Sequence, residues 1–255
     1  QTASCIDQLT QKVRIAIVGK YTAGSDTYHS VTKALLHASV ASGQKLELVW
    51  IDSSHLEGKA SSSPESKEAW RRLKTSHGLV VPGGFGQRAL EGMVKAITYA
   101  RTEKMPFLGI CLGMQLSVIE YARSVLGRTK ADSTEFNSAL DKRDQMVIFM
   151  PEGDVEKMGG TMRLGLRSTS LDRNSILSKY YKSKVIEERH RHRYEVNPAH
   201  VEELECAGLR FVGKDVDKGD RMEICELPSE VHPYFVATQF HPEFMSRHHR
   251  PSPPS

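Results

Sequence analysis

Between residues 13 and 126, short apolar runs alternate with segments of helical period, and few folds accept that pattern. Residues 13–18, 46–51, 79–81 and 107–110 read as buried strands. Residues 26–41, 65–74, 90–101 and 114–126 carry apolar residues at helical spacing. Such alternation predicts an α/β fold, a mainly parallel open sheet with helices on both faces and ligands at the carboxyl ends of its strands. Gly84 and Cys111 both fall at such ends. After about Gly127 the alternation stops. Residues 146–150, 161–166, 189–196, 210–212, 222–227 and 234–240 read as strands, and short helices start near Asn174 and Pro198. This half is expected to be an antiparallel extension that continues the sheet and brings the far end of the chain back to its middle.

At the end of the fourth strand-like run, Gly109-Ile110-Cys111-Leu112-Gly113 places a cysteine between two glycines where strand gives way to helix. This is the arrangement of a nucleophile elbow. The turn is strained, and a Cβ at either glycine would crowd the adjoining strand and helix. The following helix aims its free N–H groups and the positive end of its dipole at the sulfur, which favours the reactive thiolate.

A thiolate needs a base, and His241-Pro242-Glu243 near the other end supplies one. Read as a strand, residues 236–244 put His241 and Glu243 on the same face, so the carboxylate can hold the imidazole. A third segment, Pro82-Gly83-Gly84-Phe85-Gly86, follows an apolar strand, and its glycines let a backbone N–H approach a substrate oxygen. Alone, that turn equally suits a phosphate or a plain connection. It lacks the Lys-Ser or Lys-Thr ending of a P-loop, and no such motif occurs in the chain. In an extended segment Arg189, Arg191 and Arg193 would line one surface and His190 and His192 the other, as a carboxylate or phosphate grip or as a solvated basic edge.

These three motifs together resemble the triad-type, or class I, glutamine amidotransferases. Leu108-Gly109-Ile110-Cys111-Leu112-Gly113-Met114-Gln115, Ser133-Thr134-Glu135-Phe136, Gly159-Gly160-Thr161-Met162-Arg163-Leu164-Gly165, the run from Glu188 to Asn197 and Gln239-Phe240-His241-Pro242-Glu243-Phe244 are similar to the amidotransferase domains of CTP synthases. The similarity runs over about residues 12–246. It implies hydrolysis of L-glutamine by a triad of Cys111, His241 and Glu243, with backbone N–H groups of Gly84 and Leu112 as the oxyanion hole. It implies glutamine contacts at Gly84, Leu112, Gly113, Met114, Gln115, Glu135 and Arg193, with Glu135 reading the α-amino group and Arg193 the α-carboxylate. Phe85 is implied as a contact for the effector GTP. No cofactor or metal is expected in the domain itself. ATP, Mg²⁺ and GTP belong with a synthetase domain of the same polypeptide that converts UTP to CTP, in a full-length homotetramer. Ala89 stands where the family often has glycine, and Ser61-Ser62-Ser63-Pro64 is no family hallmark. Rival readings are a stand-alone γ-glutamyl hydrolase or cysteine peptidase with the same triad, and an inactive interaction or filament module.

At 255 residues the chain suits one large domain, expected over residues 13–246, with a residual linker at 1–12, a flexible loop at 61–64 and a disordered proline-rich tail at 247–255. The opening Gln1-Thr2-Ala3-Ser4-Cys5 has neither an initiator Met nor a signal-like apolar core, which suggests a piece of a longer protein. A net charge of +4 gives little support to nucleic-acid binding, and no apolar run is long enough for a membrane. Four cysteines without paired spacing fit a reducing cytoplasm.

Overall fold

The computed structural model describes residues 9–20, 27–58, 63–150 and 162–255. The strands are β1 (Lys12–Gly19), β2 (Lys45–Asp52), β3 (Gly78–Val81), β4 (Phe107–Ile110), β5 (Asp132–Ser133), β6 (Gln145–Phe149), β7 (Arg163–Leu171), β8 (Val185–His192), β9 (Tyr194–Val196), β10 (Arg210–Asp215), β11 (Met222–Glu226) and β12 (Phe235–Thr238). The α-helices are α1 (His29–Ala41), α2 (Ser54–Glu57), α3 (Pro64–Lys74), α4 (Leu90–Thr102), α5 (Leu112–Ser124), α6 (Ile176–Tyr181) and α7 (Val201–Cys206). Nine strands form one sheet in the order β2-β1-β3-β4-β12-β11-β10-β7-β8. From β2 to β12 neighbours run parallel; from β12 to β8 they run antiparallel.

The parallel half is buried on both faces, which is why its strands read as continuous apolar runs. Ala16, Val18, Leu79, Val81 and Phe107 enter the core under α4 and α5. Ile17, Val80, Leu108 and Ile110 turn the other way, onto Tyr28, Val31 and Leu35 beside and within α1. Local signals agree with this packing. In α3, Ser63 caps the N-terminus by accepting from Ser66 N at 3.1 Å, Pro64 follows, and Arg71, Arg72 and Lys74 sit in the last turn. Between α4 and α5, Arg101 donates twice to Glu120, both at 2.9 Å, and the Glu120 side chain is wholly buried. Removing Arg101 would leave that charge unpaired, a loss of about 3–5 kcal/mol.

Four sequence expectations change. Residues 189–196 are not one strand, because the chain leaves the large sheet after His192 and enters a second, three-stranded sheet, β5-β6-β9, at Tyr194. β6, expected in the extension of the main sheet, belongs to this smaller sheet. Arg193 therefore stands at the crossing, with its carbonyl accepting from Met150 N at 3.0 Å. The last strand ends at Thr238 rather than Phe240. Residues 247–255, read as a disordered tail, instead fold back: Arg247 bridges to Arg250, Ser252 N donates to Ser246 Oγ at 3.2 Å, and Tyr234 Oη donates to Pro254 O at 2.9 Å. Prolines cost little entropy to fix, and here they meet an apolar wall that includes Ile15, Tyr180 and Tyr234. Residues 1–8 of the expected linker, residues 61–62 of the expected loop and Gly159 to Thr161 lie outside the described residues.

Ala89, at the family's frequent glycine position, is the N-cap of α4 and sits in the left-handed region at φ 56°. An alanine Cβ is strained there. Ala89→Gly should raise stability by about 1 kcal/mol, since the relief outweighs the extra freedom of the unfolded chain; chemical denaturation with an unchanged m-value checks this.

Candidate active site

Cys111 caps α5 with φ 53° and ψ −99°, a conformation that costs a non-glycine residue of order 1–3 kcal/mol. Surrounding backbone bonds hold it there. Cys111 N donates to Thr238 O at 2.7 Å, and Cys111 O accepts from Met114 N at 3.1 Å and Gln115 N at 3.2 Å. A Cβ on Gly113 would lie 2.1 Å from Val81 O, and one on Gly109 would lie 2.8 Å from the Gly113 carbonyl. Only glycines let helix and strands approach this closely, so the elbow read from the sequence has its physical reason.

His241 follows β12, and its N–H donates to Arg189 O at 2.8 Å. The expected strand geometry does not hold here: Pro242–Phe244 is a 3₁₀ turn with proline at its start. The tight turn, rather than a shared strand face, carries Glu243 back to His241. Nδ1 of His241 lies 2.8 Å from Glu243 Oε1, and the ring stacks on Phe244 at 4.8 Å. A carboxylate on Nδ1 selects the tautomer whose Nε2 is the base. That Nε2 is buried and, among the described residues, meets no partner at full hydrogen-bond geometry, the Cys111 sulfur being the group that acts on the ring from that side. A Cβ on Gly83 would lie 2.8 Å from His241 Cε1 and 3.5 Å from Cys111 Cβ, so imidazole and nucleophile flank the same glycine. Burial opposes the imidazolium, but the Cys111 sulfur and the Glu243 carboxylate outweigh it and raise the His241 pKa to about 10.

Two cavities meet at Cys111. One, of 290 Å³, is lined by Thr27, Tyr28, Gly83, Phe85, Arg191 and His241 among others. The second is a slot of 20 Å³ lined by Gly84, Phe85, Cys111, Gln115, Glu135, His192, Arg193 and Tyr194. Of the glutamine contacts implied by sequence, Gly84, Gln115, Glu135 and Arg193 thus share the slot with the sulfur. Leu112 and Met114 pack into the main core and Gly113 abuts Val81, so none of the three lines either cavity. Burial raises the Glu135 pKa, against a backbone hydrogen bond from Gly86 and the charges of Lys20 and Arg193. The three arginines do not share a surface: Arg191 lies over the Phe85 ring at 5.7 Å, beside the larger cavity, and the change of sheet sends Arg193 into the slot.

The sequence reading missed Lys20. It follows β1 directly and is almost fully buried, and its Nζ donates to Phe85 O at 3.3 Å and to Gly86 O, tying the glycine-rich turn to the end of the first strand. Burial lowers its pKa to about 8, with Glu135 opposing. A lysine closing an apolar run at a strand's carboxyl end was the available signal. Also missed was a buried trio behind the nucleophile, His190, His192 and Glu223, whose possible ligand atoms lie within 4.8 Å of one another. It has internal partners: His192 Nδ1 lies 3.0 Å from Tyr194 O, His190 Nδ1 lies 3.1 Å from His192 Nε2, and Arg163 lies 3.4 Å from Glu223.

The sequence model of the family "Glutamine amidotransferase class-I" matches residues 24–255. CTP synthase of Dictyostelium discoideum is 52% identical over 261 residues, covering 99% of this chain and 45% of that protein. CTP synthase 1 of Homo sapiens is 51% identical over 258 residues, covering 100% of this chain and 43% of that protein. The chain therefore spans less than half the length of these relatives. A solved Trypanosoma brucei CTPS glutaminase domain with bound acivicin is 40% identical, with a TM-score of 0.84 over 95% of this chain and 90% of that one. A family match over most of the sequence and a shared structure along nearly a whole glutaminase domain lead to one statement: the chain belongs to the class-I glutamine amidotransferases, among the glutaminase domains of CTP synthases.

Proposed function

We propose that the chain hydrolyses L-glutamine and hands the ammonia to a synthetase domain of the same polypeptide, which converts UTP to CTP. The observation that carries this reading is the strained Cys111 at the head of α5, with the His241–Glu243 pair beside the same glycine. The Cys111 thiolate attacks the side-chain carboxamide carbon, and the oxyanion is held by the N–H groups of Gly84 and Leu112, each worth about 10²–10³ in rate. The imidazolium of His241 gives its proton to the departing ammonia, leaving a thioester. Neutral His241 then takes a proton from water, the hydroxide adds to the thioester, and the C–S bond breaks with its electron pair returning to sulfur. The new carboxylic acid gives its proton to solvent and leaves as glutamate, and the ion pair is restored.

Glu135 and Arg193 supply the charges an amino acid demands, a carboxylate for the α-amino group and a guanidinium for the α-carboxylate. The slot holds about one water, so glutamine must displace rim side chains, and Phe85, 45% exposed, is the most exposed of them. Phe85 is also the residue proposed to meet GTP where the domains join. ATP and Mg²⁺ act in the synthetase domain, the assembly is a homotetramer, and the reactive thiol suits a reducing cytoplasm. Among the described residues no helix is long and apolar enough to cross a membrane. Likeness to CTP synthases along the whole chain favours this reading over a γ-glutamyl hydrolase, and the His241–Glu243 pair beside the glycine that also flanks Cys111 favours it over an inactive module.

Glutamate release from free glutamine should be measurable with the purified chain and fall about 10³-fold or more in Cys111→Ser. Preference for γ-glutamyl peptides, or unchanged release in Cys111→Ser, overturns the proposal. Arg193→Met should raise KM for glutamine about 10- to 100-fold with a smaller effect on kcat.

The raised His241 pKa sets a pH window. The imidazolium persists until pH passes about 10, so single-turnover ammonia release should be flat from neutral pH upward and fall only there. In Glu243→Gln the fall should move to lower pH. A raised pKa also stabilises the folded state below the ordinary 6.5, and that contribution disappears as pH rises through about 10.

A further inference from the structure

Gln239 is fully buried and sits directly after β12, where the Cys111 N to Thr238 O bond fixes its distance from the elbow. Its own N–H donates to Glu223 O at 2.8 Å, so the backbone on both sides is held. The side chain lies between Gln115 and the nucleophile, and the network determines which way its amide points. Gln115 Nε2 is 2.9 Å from Tyr194 O, a carbonyl that can only accept, so the nitrogen of Gln115 is at that end. The same nitrogen lies 3.2 Å from the Gln239 amide, whose near atom must therefore be Oε1. The remaining end of Gln239, its Nε2, is 3.6 Å from Cys111 Sγ. The sulfur's other contacts are Arg191 O, 3.9 Å away, to which a thiol would donate, and the His241 imidazole, which shares Gly83 with it.

We propose that Gln239 is a further catalytic residue, its side-chain N–H donating to the sulfur whenever the sulfur is anionic. The donor serves the thiolate that begins the cycle. It is idle in the thioester, where sulfur carries no charge, and it acts again when water has added and the C–S electron pair returns to sulfur. Gln115 is the positioning residue that keeps the amide from turning over. This inference rests on Cys111 being the nucleophile of the proposed glutaminase.

The test is the rate at which iodoacetamide alkylates Cys111 as a function of pH, read by mass spectrometry on the full chain. Gln239→Met keeps the volume and removes the donor. It should move the alkylation profile to higher pH, slow labelling at neutral pH about tenfold or more, and slow glutamate release while leaving KM for glutamine nearly unchanged. Gln239→Glu places an acceptor against the sulfur and should slow labelling further still. Thermal unfolding shows which variants are folded, and a wild-type profile in either folded variant overturns the proposal. On the wild-type chain, the Gln239 side-chain amide proton resonance should shift when Cys111 is alkylated; an unmoved resonance also overturns it. If wild-type Cys111 resists alkylation at every pH, the glutaminase reading itself fails, and that outcome is distinct from a normal wild-type profile that Gln239→Met leaves unchanged.

Discussion

The approach of α5 to β3 and β4 is the constraint on which the site depends. Backbone meets backbone there: a Cβ on Gly113 would collide with Val81 O, and one on Gly109 would crowd the Gly113 carbonyl. This closeness locks the turn between them and lets Cys111 persist at a positive φ. A looser contact would let the cysteine relax, and the sulfur would leave its place at the head of the helix. The fully buried β3 and β4 explain why the contact does not open, since every residue of both strands is enclosed.

Electrostatics then organises what packing has placed. His241, enclosed but flanked by sulfur and carboxylate, holds a proton that burial alone would remove. Nearby His190 and His192 show the opposite result: burial and neighbouring cations lower their pKa values to about 2 and about 3. The contrast lies in partners: the Cys111 sulfur and the Glu243 carboxylate raise His241, whereas at His190 and His192 nearby cations such as Arg163 add to the effect of burial. Three imidazoles close together thus divide into one proton carrier and two neutral structural groups.

Much of this was legible in the sequence. Periodicity placed β1 to β4 and their helices within a few residues, because a sheet covered on both faces leaves a strong apolar signal. The glycines around Cys111 announced the elbow, since close approach leaves a residue-type mark. What was lost lies where a local pattern crosses a tertiary boundary. The alternation of arginine and histidine continues through Arg193 although the chain changes sheets there, so period-two reasoning assigned Arg191 and Arg193 to one surface. His241 and Glu243 pair through a turn that Pro242 begins, which the same reasoning took for a strand. Lys20 and Gln239 were passed over because each is a single polar residue at a strand end, informative only once its neighbours are known. The tail at 247–255 was misjudged from composition, which is silent about the apolar wall available to it.

The crossing at Arg193 bears on how the two sheets divide their labour. The nucleophile and its base belong to the large sheet, whereas Glu135 follows β5 and Arg193 precedes β9, both in the small one. In the proposed reaction the charged end of glutamine is gripped by residues beside the small sheet and its reacting end is met by residues of the large one. In that reading, reach and grip are set by separate parts of the same molecule.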